Sequence, residues 1–388
     1  MITAKHLSRF DAIDTPFYYY DLGVFRSTLD RVKELSNRFD YHIHYAVKAN
    51  SNDRILQIVK EYGFGADCVS GNEVTKSLEV GFPRESIVFA GVGKTDREII
   101  TALNADIFGF NCESFQELEV IEQLAGNLGK TANVSLRINP NVDAKTHKNI
   151  TTGLEENKFG INLWELDDVL HFLEQASNIK LIGLHFHIGS QVTDLSRYEE
   201  LAIKANELNK LMEDKNLRLA HINLGGGLGI NYSDPLNNMI PDFEAYFNIF
   251  KKNLSLRPDQ TVHFELGRAL VGQCGVLVTK VLYEKTGKKR HFLILDAGMT
   301  ELMRPALYQA THYMENLSAN SQPIETYDVV GPICETTDAF ARDLSLPKSK
   351  RGDMMAIYST GAYGEVLKNQ YNLRGEVAVV YSDDLNLG

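Results

Sequence analysis

The chain has 388 residues, 44% of them hydrophobic, and a formal net charge of −11. That length suits two domains, or one large barrel with an appendage, and the acidic balance without a basic run speaks against nucleic acid as a partner. No apolar run approaches the roughly 18 residues of a membrane span, and the first ten residues form no apolar leader. The four cysteines, Cys68, Cys112, Cys274 and Cys334, are too scattered for a zinc site or a disulfide framework, so a reducing cytoplasm fits and no metal is expected.

A short aromatic strand is predicted at 17–20. From about residue 40 to 265, short apolar runs alternate with helix-length amphipathic stretches. The predicted strands are 41–47, 65–69, 87–90, 107–110, 133–138, 181–187, 221–224 and 261–265. Strand–helix alternation implies parallel pairing, and eight units in this length match a (β/α)8 barrel. An open doubly wound sheet lacks support, because no phosphate-binding glycine turn follows the first strand. After about residue 270 the texture becomes β-rich, with strands predicted at 276–283, 291–295, 327–330, 354–358 and 376–380. This reads as a separate antiparallel β domain that the 17–20 strand could join. The expected division is a barrel over 25–270 and a β domain over 1–24 and 271–388. One long irregular stretch, 139–160, follows the fifth barrel strand and is a candidate lid.

Barrel enzymes place their chemistry at the C-terminal ends of the strands. Read in order, those ends carry Lys48, Asp67, His185 with His187, the glycine run Gly225-Gly226-Gly227, and Glu265 with Arg268. Lys48 leaves the first strand into a polar turn, where desolvation would lower its pKa and suit Schiff-base chemistry. Strand alternation sends His185 and His187 to one side. His187 could stack on a flat ring, and Ser190 could reach a phosphate. Stacked amides of the glycine run could cradle that phosphate. A carboxylate at Glu265 could keep a pyridine nitrogen protonated. An amine, a flat partner, phosphate-binding amides and a counter-charge are what pyridoxal 5'-phosphate needs. Elsewhere, Cys334-Glu335 lies in a turn-like polar setting, Arg304 and Tyr308 sit in a short Arg-Pro-Ala-Leu-Tyr stretch, and Tyr363 stands between glycine-flanked positions. Each also has a bland reading: an inert cysteine, a surface arginine, a turn aromatic.

Twelve motifs in order, YAVKAN, GADCVSGNE, RINPNV, THKNITTG, KFGI, HIGSQ, GGGLGI, ELGR, LDAGM, MRPALY, CETTD and GAYG, resemble the fold-type III, alanine-racemase-like pyridoxal-phosphate decarboxylases over nearly the whole chain. The resemblance implies decarboxylation of an amino acid by a head-to-tail homodimer with shared active sites. It implies Lys48 as the Schiff-base lysine, His187 on the ring and Glu265 on the pyridine nitrogen, with Asp67 beside the cofactor. Ser190, Gly226, Gly227, Gly267, Arg268 and Tyr363 would hold the cofactor. Arg268, Arg304, Tyr308 and Tyr363 would bind substrate, the arginines selecting a distal carboxylate. Cys334 would be the proton donor and Glu335 would contact the substrate amine, both from the partner subunit. Two departures stand out: Leu266 replaces the usual proline, and Thr336-Thr337-Asp338 replaces the usual Ser-Gly-Asp. Related folds open alternatives: another basic amino-acid decarboxylase, a racemase, or a non-catalytic cofactor-binding regulator.

Overall fold

The computed structural model describes residues 2–142, 158–319 and 323–385, so most of the candidate lid, 143–157, lies outside the described residues. The chain divides into two compact units, one of residues 29–229 and 242–267, the other of residues 1–28, 230–241 and 268–388.

Strand β1, Phe17–Tyr20, belongs to the second unit. The first unit is a closed barrel of eight parallel strands: β2 Tyr41–Ala46, β3 Gly65–Cys68, β4 Ile87–Phe89, β5 Gly109–Cys112, β6 Ala132–Arg137, β7 Ile179–His185, β8 His221–Asn223 and β9 Thr261–Leu266. The predicted (β/α)8 barrel is present, with strand ends shifted by up to two residues. Several helices begin where the sequence supplies a cap. Ser70, Thr95 and Ser114 accept from the backbone N–H of Glu73, Glu98 and Glu117 three residues on, satisfying donors that a helix start leaves open. On the outer side of β9, Phe264 packs among Tyr246, Phe247 and Phe250, a dense aromatic seal between barrel and helices.

The barrel interior departs from the branched aliphatic filling usual for this fold. His44 and His263 share a 2.9 Å hydrogen bond, His263 also meets the Thr261 hydroxyl at 2.9 Å, and His221 meets the Ser135 hydroxyl at 2.9 Å. Burial holds all three imidazoles neutral, lowering His44 to about 4, His221 to about 3 and His263 well below its ordinary value.

The second unit adds β10 Gly275–Thr286, β11 His291–Leu295, β12 Met314–Asn316, β13 Ile324–Val330, β14 Ala339–Pro347, β15 Met354–Tyr358 and β16 Ala378–Tyr381. The strand path runs β12-β15-β10-β11-β13-β14, and β1 pairs with β10 and β16. The predicted antiparallel sheet is corrected to a mixed one, because β1–β16 and β11–β13 are parallel. Long connections permit that polarity, and side-chain alternation is the same in both. Phe10, Phe17, Tyr19, Val276, Val278, Met354 and Tyr358 form its core.

Candidate active site

Lys48 lies on a one-turn 3-10 helix, Val47–Ala49, directly after β2. Its Nζ donates to Asp67 Oδ2 at 3.1 Å, and its side chain is 38% exposed, so the expected desolvation of this lysine is only partial. Asp67, on β3, is buried, and its Oδ1 has no hydrogen-bond partner among the described residues. Burial first, then the charge of Glu265, pushes its carboxyl up to about 7 against the pull of Lys48. Gly267 explains how the lysine turn sits so close to β9: a Cβ there would come within 2.9 Å of the Ala49 Cβ and 3.0 Å of the Ala46 Cβ. Leu266, the departure from the usual proline, is buried and continues the β2–β9 ladder opposite Tyr45.

Glu265 is buried inside the barrel and gathers three donors. Asn111 reaches it from β5 at 2.8 Å and Asn223 from β8 at 2.7 Å, both on Oε1, while His185 Nε2 meets Oε2 at 2.8 Å. Burial alone would raise this carboxyl. The His185, Lys48 and His187 side chains outweigh it and hold Glu265 well below the usual carboxylate range. Charge-assisted bonds of this kind favour the ionised form.

The glycine run forms a tight turn after β8. Gly225 and Gly227 have φ of +66° and +98°. A Cβ on Gly226 would fall 1.9 Å from the Glu265 carbonyl oxygen, and one on Gly227 2.2 Å from that of Gly189. The turn uses two amides internally: Gly225 N–H donates to Asn223 Oδ1 at 2.9 Å, and Gly226 N–H to His187 Nδ1 at 3.3 Å. The second bond makes Nδ1 of His187 the acceptor and leaves the proton on Nε2. β7 ends at His185, two residues before the predicted end, and His187 sits in the loop beyond. Burial, then Arg137 and Lys48, pushes its pKa well below the ordinary value. Ser190 is half-buried in the bend that follows.

In the second unit, a short helix Arg268–Val271 and another at Arg304–Tyr308 present two buried arginines. Arg268 donates to the Tyr232 hydroxyl at 2.5 Å and lies over the Tyr363 ring at 4.8 Å. Arg304 lies over the Tyr232 ring at 4.5 Å and bonds His312 Nε2 at 2.8 Å, and its buried Nε has no acceptor among the described residues. His312 is anchored by the Tyr358 carbonyl at 2.7 Å and is lowered to about 3 by burial, then by Arg304. Tyr308 is half-buried, and Tyr363 has a φ of +56°. Cys334 and Glu335 are exposed on a loop whose base is closed by buried Asp338. That carboxylate accepts from Met299 N–H at 2.6 Å and Ile333 N–H at 2.7 Å, so the Thr336-Thr337 departure leaves the loop anchor in place. Glu335 accepts from the Tyr371 hydroxyl at 2.8 Å.

The barrel mouth thus unites Lys48, Asp67, His185, His187, the glycine turn and Glu265. Asn111, Asn223, Tyr232 and His312 were not foreseen. Asn111 and Asn223 had a readable signal, an inward polar residue at the end of an apolar strand. Tyr232 and His312 had none, since only the fold brings them to the arginines. These residues fit pyridoxal 5'-phosphate: a lysine amine beside an unsatisfied buried carboxylate, a clamped anion, and a turn whose space any side chain would fill.

A barrel with a lysine at one strand end and an ionised carboxylate at the end of the neighbouring strand defines the class of fold-type III pyridoxal enzymes. Residues 24–272 match the pyridoxal-dependent decarboxylase, pyridoxal binding domain family. The chain is 53% identical to a diaminopimelate decarboxylase of Bacteroides thetaiotaomicron, covering 97% of this chain and 98% of that one. The structure is similar to that of Helicobacter pylori diaminopimelate decarboxylase complexed with L-lysine, with a TM-score of 0.89, 38% identity, and coverage of 98% of this chain and 94% of that chain. It is also similar to diaminopimelate decarboxylase from M. jannaschii in complex with L-lysine, at a TM-score of 0.89 and 34% identity over 97% and 89% of the two chains. The chain belongs to the pyridoxal-dependent decarboxylases, and within them to the diaminopimelate decarboxylases. Among the described residues no helix is long and apolar enough to cross a membrane.

Proposed function

We propose that this protein removes the α-carboxylate of meso-2,6-diaminopimelate to give L-lysine and CO2, using pyridoxal 5'-phosphate. The observation that carries the reading is the ionised Glu265, held by three donors in the same barrel mouth as the Lys48–Asp67 pair. When bound, the cofactor supplies an electron sink for the pair left at the substrate α-carbon as CO2 departs.

The chain's own residues do the rest. Lys48 would hold the cofactor, and Asp67, with a carboxyl pushed up to about 7, is placed to exchange a proton with its Nζ. Glu265 would keep the ring nitrogen protonated, and His187 would cover the ring. Gly226, Gly227, Ser190, Gly267, Arg268 and Tyr363 hold the phosphate end, with Gly226 shaping the turn since its own amide is spent on His187. Arg304 and Arg268 bind the distal carboxylate, a role supported by the Arg304 Nε that has no acceptor among the described residues, and Tyr308 and Tyr363 contact the substrate beside them. Cys334 delivers a proton to the α-carbon and Glu335 binds the substrate amine. The protein works as a cytoplasmic homodimer in which Cys334 and Glu335 serve the partner's site, and their exposure supports such a role.

The test is release of CO2 and lysine from meso-diaminopimelate by the purified protein with pyridoxal phosphate, run beside ornithine, arginine and carboxynorspermidine. Turnover of meso-diaminopimelate alone is expected. Preference for another amine would keep the Lys48 chemistry and reject the substrate.

A further inference from the structure

We infer that Asn223 is a positioning residue that ties the carboxylate facing the ring nitrogen to the turn facing the phosphate, and so fixes both ends of the cofactor site to one side chain. The inference rests on the pyridoxal-phosphate reading above. Asn223 is buried at the end of β8. Its Nδ2 donates to Glu265 Oε1 at 2.7 Å, and its Oδ1 accepts from Gly225 N–H at 2.9 Å. The amide cannot be turned round. A backbone N–H only donates and an ionised carboxylate only accepts, so nitrogen must face Glu265 and oxygen must face Gly225. A second link runs parallel to it, from Glu265 N–H to the Gly225 carbonyl at 2.8 Å.

Counting lone pairs shows what this leaves for the ligand. A carboxylate oxygen offers about two acceptor positions. Oε1 spends both on Asn111 and Asn223, and Oε2 spends one on His185. One acceptor position remains, on Oε2, and it takes only a donor. Asn111 and Asn223 therefore differ in kind. Asn111 feeds Glu265 alone, whereas Asn223 also caps a glycine whose φ of +66° and 2.2 Å Cβ clearance to the Phe186 carbonyl oxygen leave the turn no side chain with which to brace itself.

The experiment measures dissociation constants of pyridoxal phosphate and of phosphate-free pyridoxal for the parent, Asn111→Ala, Asn223→Ser and Asn223→Asp, with circular dichroism to check folding. Asn111→Ala should weaken both ligands by a similar factor. Asn223→Ser should weaken pyridoxal phosphate about tenfold more than pyridoxal, the scale of one lost hydrogen bond. Asn223→Asp keeps the Gly225 acceptor but sets a second carboxylate against Glu265. The pair should share a proton, and the visible absorbance of the bound cofactor should become pH-dependent between about pH 5 and 8, with the preference for the phosphorylated ligand kept. Equal losses of both ligands in Asn223→Ser would overturn the link to the turn. An absorbance indifferent to pH in Asn223→Asp would overturn the link to Glu265. Loss of the preference for the phosphorylated ligand in that variant, which keeps the Gly225 acceptor, would overturn the link to the turn, so this near-isosteric variant tests both if the serine variant does not fold. A parent that binds neither ligand would reject the functional reading itself, and this inference with it.

Discussion

At the barrel mouth Glu265 takes three donors and Asp67 faces Lys48, whereas in the β unit Arg304 is buried beside Arg268 on tyrosine faces, with a neutral histidine as its polar partner. The first region is charge-compensated from within and stands ready for a ligand at little further cost. The second concentrates positive charge that burial disfavours: the Arg304 pKa is lowered by burial first, with Arg268 adding to it. A buried charge is tolerable when its counter-charge arrives with the ligand. On the proposed reading, the mouth suits a cofactor that stays, and Arg304 suits an anion that comes and goes.

The sharpest way to break this contrast is at Lys48. Lys48→Ala should abolish the visible absorbance of protein-bound cofactor and lower turnover by about 10⁴-fold or more, as expected for losing a covalent catalytic group. An unchanged spectrum would mean that another amine carries the cofactor. Cys334→Ala comes next. It should bind cofactor like the parent and lose about 10²- to 10⁴-fold in kcat, the range for one proton-transfer group. Parent-like turnover would remove Cys334 from the reaction.

Arg304→Met tests the β unit directly. It should lower kcat/KM for the dicarboxylic substrate by about 100-fold, consistent with removing one partner of a buried charge pair, without lowering the melting temperature of the ligand-free protein. A large loss of stability would mean that the arginine is already compensated in the fold. The smallest effect is one of pH. His44, His221 and His263 have folded pKa values depressed below 6.5, so the unfolded chain binds more protons as pH falls, and their contribution is present above pH 6.5 and lost toward pH 4. Each should add to the slope of stability against pH in that window. Asp67 is raised and acts in the opposite sense, its contribution falling as pH rises toward 7. Urea midpoints from pH 4 to 7 should therefore rise with pH, and His221→Phe should flatten the curve. No change in slope would show that His221 titrates normally.

Much of the barrel was readable because parallel strands buried on both faces write continuous apolar runs, and because catalytic side chains follow the last residue of each run. Lys48, Asp67, His187 and Glu265 were singled out this way, and the structure brings them together at the barrel mouth. The misses have physical causes. Strand β5 runs two residues beyond its predicted end, so Asn111 fell outside it. β12 and β14 are short or polar on alternate positions and resemble loops. Tyr232 belongs to a segment, 230–241, that joins the β unit although barrel residues flank it in sequence.

The sequence by itself determined the alternation that makes a barrel, the residues at its mouth, and the family to which their order belongs, since periodicity and strand-end chemistry are local properties. Only the tertiary structure decided that two asparagines and a histidine from β5, β8 and β7 would converge on Glu265, that Tyr232 would lie between Arg268 and Arg304, and that the β sheet would be mixed. Those outcomes depend on ring closure and on contacts between residues distant in sequence, such as Asn111 and Glu265, 154 positions apart. No local pattern encodes such a pairing, because the free energy that selects it comes from satisfying buried polar groups in the assembled fold.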